Sequence, residues 1–219
     1  MTDVIVHSIP GSPYGRAVMV VLEEKGVPYR LSPVAPGTFA KEPHIKRHPF
    51  AKVPAFEHDG FTLYETQPIL RYIDRTFPGT ALTPSDSKSA ALMDLAMAVH
   101  DNYLFNGVSN IIAFQRIIGP LLMGLTPDEA AIEAVMPRAH QVFAELARLL
   151  GTQPYFAGGA VTLADLLLGP QLAMMSDTPE WAALSAPHGN VVNWLAAMNA
   201  RPSMQATTWE RVSAMAEAR

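Results

Sequence analysis

The stretch "DVIVHSIPGSPYGRAVMVVLEEKG", residues 3–26, predicts a β-strand that is followed at once by an α-helix. Its first part is rich in β-branched side chains and leads into the turn-forming run "IPGSP", which is typical of a buried strand. The helix is predicted from Pro13 to the residue before Gly26, because proline favours the first helical position and glycine follows the last. Ser12 lies between the two elements, where its hydroxyl can cap the helix.

The other segments of the first 80 residues continue this alternation of strands and helices. The segment "VPAFEHDGFTLYE" (53–65) has a strand-like run on each side of Asp59-Gly60, a dipeptide typical of hairpin turns. We interpret three further segments as a strand, a short irregular helix and an amphipathic helix, at residues 28–34, 39–50 and 66–77. The order is βαβ followed by ββα, which predicts one parallel strand pair and one antiparallel hairpin in an α/β unit.

Strand signals vanish after residues 78–88, a linker rich in Pro, Gly, Ser and Thr. The next segment predicts a helix with one apolar face, formed by Leu92, Leu95, Ala96, Val99 and Tyr103. A second helix has the same kind of face, formed by Ile132, Met136, Ala139, Phe143, Leu146 and Leu150. Two more helices are predicted, one after Thr162 and one over residues 190–202. The second part of the chain is therefore predicted to be all-helical.

Local signals indicate how two of these helices begin and where one is interrupted. The run "TPDE" (126–129) is typical of a capping box with proline in the first turn. Pro137 is expected to kink the second helix or to divide it in two. The run "TLAD" (162–165) indicates another capping box, in which Thr162 is the cap and Asp165 has a structural role, not a catalytic one.

The composition is that of a globular protein without a strong charge imbalance. Apolar residues make up 49% and charged residues 16%, and 16 basic against 20 acidic residues give a net charge of −4. Because no basic block occurs, we expect neither a nucleic-acid partner nor binding to an anionic membrane surface. Cysteine is absent, which excludes disulfides, thiolate metal sites and a cysteine nucleophile. Thiol chemistry would therefore need a sulfur supplied by a small molecule.

The chain also has no long apolar segment. No apolar run approaches the roughly 18 residues of a membrane span. The N-terminal residues "MTDVIVHSIPG" have neither the basic lead nor the apolar core of a signal peptide. We therefore expect a cytoplasmic protein without a membrane partner.

Four motifs, in this order and at these separations, resemble those of the cytosolic glutathione transferases: "SPYGRAV" (12–18), "HPFAKVPAF" (48–56), "YETQPILRYI" (64–73) and "VTLADL" (161–166). The resemblance extends over essentially the whole chain and is to serine-type members, in particular phi- and theta-like bacterial ones. It implies a thioredoxin-like, glutathione-binding domain over residues 1–80. It also implies an all-helical domain over residues 88–219 that contributes the pocket for an electrophile.

The resemblance implies which residues bind glutathione. The backbone of Val53 would bind the cysteinyl part, with Pro54 in the cis form. The carboxylate of Glu65 would bind the γ-glutamyl ammonium, and the hydroxyl and N–H of Thr66 its α-carboxylate. Two further residues would pair with the glycine carboxylate, namely His44 and Lys52. The residues alone also fit other roles: an edge-strand proline, helix caps and solvated side chains.

Ser12 is the residue that the resemblance makes catalytic. A thiol held at the N-terminus of a helix meets a positive dipole and a hydroxyl donor, and both favour the thiolate. In serine-type members the matching serine stabilises the glutathione thiolate in this way, and the same serine still caps the helix. Tyr14 is the competing hydroxyl and is otherwise expected in the wall of the pocket. Arg16 is expected to steady the loop or the electric field around the sulfur.

The second substrate is expected to be an electrophile with an apolar body. The segment "HDNYLFNGVSNIIAF" (100–114) has many aromatic residues and few charges. We expect it to line the electrophile pocket through Tyr103, Phe105 and Phe114, although aromatic residues at helical spacing also fit a core.

The sequence thus predicts a glutathione transferase of detoxification type, with glutathione as co-substrate and no metal. By resemblance it is expected to be a homodimer. Two alternatives stay open at this stage. The same site would also serve a glutathione-dependent peroxidase or isomerase, and the fold alone would serve a non-enzymatic glutathione-binding regulatory module.

Overall fold

The computed structural model describes residues 3–217. It has four strands, Val4–Ser8 (β1), Arg30–Pro33 (β2), Ala55–His58 (β3) and Phe61–Tyr64 (β4). The α-helices of the described chain are Pro13–Glu24 (α1), His44–Arg47 (α2), Thr66–Thr76 (α3), Ser87–Val99 (α4), Asn110–Ala113 (α5), Gly119–Met123 (α6), Glu129–Leu150 (α7), Leu163–Ser176 (α8), Trp181–Ser185 (α9), Gly189–Asn199 (α10), Pro202–Ala206 (α11) and Trp209–Glu217 (α12). Two segments of the described chain have π-helical hydrogen bonding, Phe114–Ile118 and His100–Ser109, and the second is kinked by non-helical backbone at Asn106 and Gly107.

The described chain divides into two compact units. The first contains residues 3–83 together with residues 200–217, and the second contains residues 84–199. Helix α11 packs against α1 and helix α12 against β2, a return to the first unit that was not predicted. The predicted domain limits, 1–80 and 88–219, stay a prediction, and residues 1, 2, 218 and 219 lie outside the described residues.

The sheet of the first unit has the strand order β2-β1-β3-β4. β1 pairs with β2 in parallel and with β3 in antiparallel orientation, and β3 pairs antiparallel with β4. All five residues of β1 are buried, as expected for the central strand of a covered sheet. This arrangement confirms the predicted thioredoxin-like α/β order βαβ-ββα.

The hairpin turn between β3 and β4 follows from its two residues. Asp59 and Gly60 both have positive φ angles, 49° and 84°. Two-residue turns of this kind match the twist of the flanking strands and favour Asp-Gly. The prediction of a hairpin at this dipeptide is confirmed.

The C-terminal end of α1 is tied to the end of α3 by a buried ion pair. The ammonium of Lys25 lies 3.2 Å from Oδ1 of Asp74 and also donates to the carbonyl oxygens of Asp74 and Thr80. Oδ1 of Asp74 also accepts the N–H of Leu82 at 2.9 Å. Burial acts to raise the pKa of Asp74, but the hydrogen bonds from Leu82, Thr83 and Lys25 lower it below its usual value. The pair therefore holds two helices and the start of the linker together.

The second unit is helical apart from an isolated bridge between Tyr155 and Gly158. The apolar face predicted for its first helix, α4, is only partly buried. Ala96 and Val99 are buried, but Leu92, Leu95 and Tyr103 are exposed. Nine of the 13 residues of α4 are apolar, so two overlapping faces fit a helical repeat. The buried face, which includes Met93 and Met97, is the one that packs against α8.

α7 begins later than predicted and is not divided. Its N-cap is Asp128, whose side chain accepts the N–H of Ala131 at 3.1 Å, so the predicted cap at Thr126 is wrong. Pro137 lies within one continuous helix, which rules out a division there. The predicted apolar face is buried with one exception, Met136, which is half-buried.

The capping box at the start of α8 is confirmed. Oδ2 of Asp165 accepts the N–H and the hydroxyl of Thr162, each at 2.9 Å. Oδ1 accepts the N–H of Phe156 and the indole N–H of Trp194, each at 3.0 Å. Burial raises the pKa of Asp165, although all four donors act to lower it. The side chain joins three segments of the second unit, which is a structural role.

Across residues 3–217, none of the helices combines the length and the apolar character needed to cross a membrane.

Candidate active site

Ser12 caps α1 through its side chain. Its Oγ accepts the N–H of Gly15 at 3.1 Å, and its carbonyl accepts the N–H of Arg16 at 2.8 Å. Ser12 itself has extended backbone angles, φ −68° and ψ 117°, as an N-cap residue requires. Because a hydroxyl has one proton and two lone pairs, an Oγ that accepts from Gly15 still has its proton to donate.

The first turn of α1 approaches the sheet closely at Gly15. A Cβ at this position would lie 2.0 Å from Oγ of Ser8, at the end of β1, so only glycine fits here. The close approach brings the first turn of α1 against the end of the central strand.

The peptide bond between Val53 and Pro54 is cis, as the resemblance implies. Val53 is half-buried and Pro54 is buried, just before β3 begins at Ala55. Among residues 3–217, no hydrogen bond within the protein uses the N–H or the C=O of Val53. This backbone segment is therefore able to pair with an extended ligand.

Glu65 and Thr66 lie where β4 ends and α3 begins. Glu65 is the N-cap of α3 but makes no side-chain capping bond, and its carboxylate is exposed. Its φ of 68° is positive, a conformation that costs a residue with a side chain about 1–3 kcal/mol. Thr66 is buried at the first helical position, where the backbone N–H groups point out of the helix. Backbone strain of this kind often occurs at binding sites. Here it lies at the start of an 11-residue helix.

His44 supports the neighbouring loop through its ring. Its Nε2 lies 2.7 Å from the carbonyl oxygen of Lys52, so Nε2 is the donor, and the side chain of Lys52 is exposed. Within the described chain, the buried Nδ1 atoms of His44 and His48 have no hydrogen-bond partner. The ring of His48 lies 5.1 Å from that of Tyr64, and burial lowers the pKa of His48.

The strand register brings these segments to one edge of the sheet. His7 of β1 pairs with Ala55 of β3, so the end of β1 lies beside the start of β3. Ala55 also pairs with Tyr64 of β4, which places residues 65 and 66 beside the same point. The N-terminus of α1, the Val53-Pro54 bond and the N-terminus of α3 therefore meet at this edge.

Comparison with known proteins identifies this arrangement. The family model described as "Glutathione S-transferase, N-terminal domain" matches residues 6–81, and the one described as "Glutathione S-transferase, C-terminal domain" matches residues 129–197. A probable glutathione S-transferase, GSTF2, of Oryza sativa subsp. japonica is 31% identical over 85% of this chain and 87% of its own. The chain belongs to the glutathione S-transferase family.

Solved structures of glutathione transferases are similar over almost the full length. Glutathione S-transferase III in its apo form has a TM-score of 0.84 at 31% identity, over 97% of each chain. Glutathione S-transferase-I bound with lactoylglutathione has a TM-score of 0.83 at 26% identity, over 97% of this chain and 99% of that one. The predicted fold, enzyme class and family are thus confirmed. The serine-type assignment and the bacterial source stay predictions.

Three of the four aromatic candidates for the electrophile pocket of this transferase lie in the second unit, and none of the four is fully buried. Tyr103 is 53% exposed, and the guanidinium of Arg138 lies 5.9 Å from its ring centroid. Phe105 and Phe114 are half-buried, each in one of the two π-helical segments. Tyr14, in α1 of the first unit, is also half-buried. Tyr103 is therefore not part of the closed core, whereas the partial burial of the other three fits either packing or a pocket wall. The role of all four in a pocket stays a prediction.

The contacts that the last two helices make with α1 and with Gly11, just before it, were not predicted from the sequence. Arg16 donates to the carbonyl oxygen of Met204 at 3.1 Å, and Trp209 packs against Gly11. No local signal predicts these contacts, because the partners are almost 200 residues apart in the chain. The expectation that Arg16 steadies the loop stays a prediction.

Proposed function

We propose that this transferase conjugates glutathione to an apolar electrophile and that the hydroxyl of Ser12 stabilises the thiolate. The observation that carries the proposal is the hydrogen bond in which Ser12 Oγ accepts the N–H of Gly15. It fixes the oxygen at the positive end of a 12-residue helix and leaves the hydroxyl proton for the sulfur.

The energies involved are of the right size. An ordinary thiol has a pKa near about 8.5, and lowering that pKa by about two units requires about 2.7 kcal/mol. A hydrogen bond to a charged group contributes roughly 1.5–3 kcal/mol, and the end of a helix about 0.3–1 kcal/mol. One hydroxyl and one helix terminus are therefore sufficient to hold the thiolate near neutral pH.

The remaining contacts of glutathione follow from the groups at the same edge of the sheet. The unpaired N–H and C=O of Val53, next to the cis bond to Pro54, would bind the cysteinyl part as a short antiparallel pair. The exposed carboxylate of Glu65 would bind the γ-glutamyl ammonium, and Thr66 the α-carboxylate at the start of α3. Lys52 would pair with the glycine carboxylate. His44 would act mainly by holding the backbone of Lys52.

The electrophile and the oligomeric state are part of the same proposal. We infer an apolar electrophile because Tyr103, Phe105 and Phe114 each leave part of their aromatic surface exposed. We infer a homodimer because large apolar side chains are exposed in both units. In the first unit Phe50 is 66% exposed, with its ring 6.1 Å from that of Tyr64. A partner subunit would remove this surface from water.

The test combines glutathione binding with turnover of a chlorodinitroarene. We expect Ser12→Ala to bind glutathione with little change but to lose about 100-fold in kcat/KM at neutral pH, because the thiol is no longer ionised. Tyr14→Phe is the matched control, since it removes the competing hydroxyl from the same turn, and it is expected to keep most of the activity.

Each other outcome points to a different conclusion. An unchanged rate in Ser12→Ala together with a loss in Tyr14→Phe would transfer the catalytic role to Tyr14. Turnover of a hydroperoxide or an isomerisable thioester, without conjugation, would identify a peroxidase or an isomerase. Tight glutathione binding without any turnover would identify a binding module.

A further inference from the structure

The indole ring of Trp209 lies directly against Gly11, the residue before Ser12. A Cβ at residue 11 would lie 1.5 Å from Cζ3 of Trp209 and 2.4 Å from Cε3. The six-membered ring thus occupies the space of the side chain that Gly11 lacks. Gly11 also has a φ of 82°, which only glycine adopts readily. Residue 11 is therefore glycine for two independent reasons, and one of them is Trp209.

Arg16 makes a second link between the first turn of α1 and the C-terminal helices. Its backbone N–H donates to the carbonyl of Ser12 at 2.8 Å, which closes the first turn. Its guanidinium donates to the carbonyl of Met204 at 3.1 Å and to Oγ1 of Thr207 at 3.5 Å. The segment between α11 and α12 is thereby attached to the turn that contains Ser12.

The C-terminal segment is itself anchored at the other end of α1. The guanidinium of Arg201 donates two hydrogen bonds to the carboxylate of Glu24, each at 2.8 Å. The hydroxyl of Ser203 donates to the same carboxylate. Burial acts to raise the pKa of Glu24, but these partners lower it below its usual value. Trp209 is therefore presented to Gly11 by a segment that is attached to α1 at both ends.

We propose that Trp209 is a positioning residue for Ser12, acting through Gly11. This inference rests on the proposed role of Ser12 in stabilising the thiolate. Consecutive Cα atoms are about 3.8 Å apart, so a rotation at residue 11 directly reorients residue 12. Glycine alone does not restrict such a rotation, because it adopts positive and negative φ with similar ease. The indole ring restricts it from one side, while Ser8 packs against Gly15 from the other.

The experiment measures the pKa of the bound glutathione thiol from its thiolate absorbance in the ultraviolet, in full-length variants. We expect Trp209→Ala to raise this pKa by about one unit. At pH values below both pKa values, the fraction of thiolate would then fall about tenfold. The KM for glutathione should stay within about twofold, because the loss is in the state of the sulfur and not in the binding of the tripeptide. Trp209→Phe, which keeps a ring against Gly11, should restore most of the shift.

Met215→Ala is the matched control. Met215 is the other large apolar side chain of α12 with substantial exposure, and it lines a groove of about 600 Å³ with residues at the far end of α1, Glu23 and Gly26 among them. Its removal loosens the same helix without touching Gly11, and it should leave the thiol pKa unchanged. A similar rise in Met215→Ala would reduce Trp209 to a general support of α12 and overturn the proposal.

A double-mutant cycle tests the contact independently of any activity. In the parent protein, Gly11→Ala should lower the melting temperature by about 5 °C or more, since the new methyl group meets the indole ring. In the Trp209→Ala background the same change should cost clearly less, with only the φ strain remaining. Equal losses in both backgrounds would show that the two residues do not contact, which would overturn the proposal.

The two proposals fail separately. If Ser12→Ala leaves the thiol pKa unchanged, the proposed role of Ser12 is wrong, whatever Trp209 does. If Ser12→Ala raises the pKa but Trp209→Ala does not, the role of Ser12 stands and the positioning by Trp209 is wrong.

Discussion

The N–H of Gly15 donates to Oγ of Ser12 at 3.1 Å, so one hydroxyl both caps α1 and lies at its positive end. The two roles can be separated by two substitutions. Ser12→Ala should lower the free energy of unfolding by about 1 kcal/mol. Ser12→Gly should lower it by only about 0.3 kcal/mol, because glycine is tolerated at an N-cap. Both remove the hydroxyl, so both should lose activity to the same extent. Urea unfolding and kcat/KM at neutral pH are the measurements, and an Ala variant less active than the Gly variant would mean that the cap itself matters for catalysis.

The positive φ of Glu65 predicts that replacing this residue by glycine raises the stability of the fold but weakens glutathione binding. Glu65→Gly should raise the free energy of unfolding by up to about 1 kcal/mol, because glycine relieves the strain. It should also raise the KM for glutathione about tenfold or more, since the ammonium loses its carboxylate partner. Ala51→Gly is the control, because Ala51 also has a positive φ, 53°, and is not predicted to bind the ligand. Weaker glutathione binding in Ala51→Gly as well would assign the effect to the backbone and not to the carboxylate.

The four donors around Asp165 predict a large structural effect for a small change. In Asp165→Asn an amide N–H₂ replaces one acceptor oxygen and faces buried donors, such as the N–H of Phe156 or the hydroxyl of Thr162. We expect the free energy of unfolding to fall by about 2–4 kcal/mol. Asp128→Asn is the matched control, because asparagine caps a helix as well as aspartate does. One ordinary hydrogen bond contributes about 1 kcal/mol net. A smaller loss of unfolding free energy in Asp165→Asn would therefore show that the second unit does not need these hydrogen bonds.

His7 predicts a loss of stability in mild acid. Burial, followed by the charge of Arg47, lowers the pKa of His7 from 6.5 to about 4, against the opposing effect of Glu57. Between these two values the unfolded chain binds a proton that the folded protein does not, so stability falls as the pH falls from 6.5 to about 4.

In the parent protein, His7 should make the free energy of unfolding about 1–2 kcal/mol lower at the acid end of this pH range, after allowance for screening by solvent. His7→Gln should abolish this difference. The measurement is the free energy of unfolding at several pH values in that range. The exposed His140 provides the control His140→Gln, which should keep the dependence of the parent protein. Parallel pH profiles for the parent and His7→Gln would contradict the prediction.

The ion pair between Lys25 and Asp74 predicts strong coupling between the two residues. Lys25→Met should lower the free energy of unfolding by about 3–5 kcal/mol, because it leaves a buried carboxylate without its cation. The double variant Lys25→Met with Asp74→Asn should cost less than the sum of the single changes, since an amide needs no counter-charge and still accepts the N–H of Leu82. Additive losses would mean that the charges do not interact.

Much of the first unit was predictable because its signals are local. The β1–α1 junction depends on Ser12, Pro13 and a terminal glycine, and the hairpin depends on two adjacent residues with positive φ. The capping box at Thr162 also acts within one turn. Such signals act over a few residues and keep their meaning in any fold.

The buried face of α4 and the N-cap of α7 could not be predicted, because the sequence offers two equally good local patterns for each. The apolar sequence of α4 fits two faces, and packing against α8 selects the one with Met93 and Met97. Thr126 and Asp128 are both suitable caps for α7, and the structure uses Asp128, whose side chain accepts the N–H of Ala131. The sequence predicted the helices but not these choices, because burial depends on neighbours that are distant in the chain.

The sequence by itself determined the strand and helix order of residues 3–76, the turn at residues 59 and 60 and the hydroxyl at the start of α1. Only the tertiary structure decided that α11 and α12 return to α1, that Trp209 covers Gly11 and that Lys25 is buried against Asp74. The physical reason is distance along the chain. A cap or a turn is stabilised by its immediate neighbours, whereas these contacts join residues 49 to 198 positions apart and exist only once the whole unit has packed.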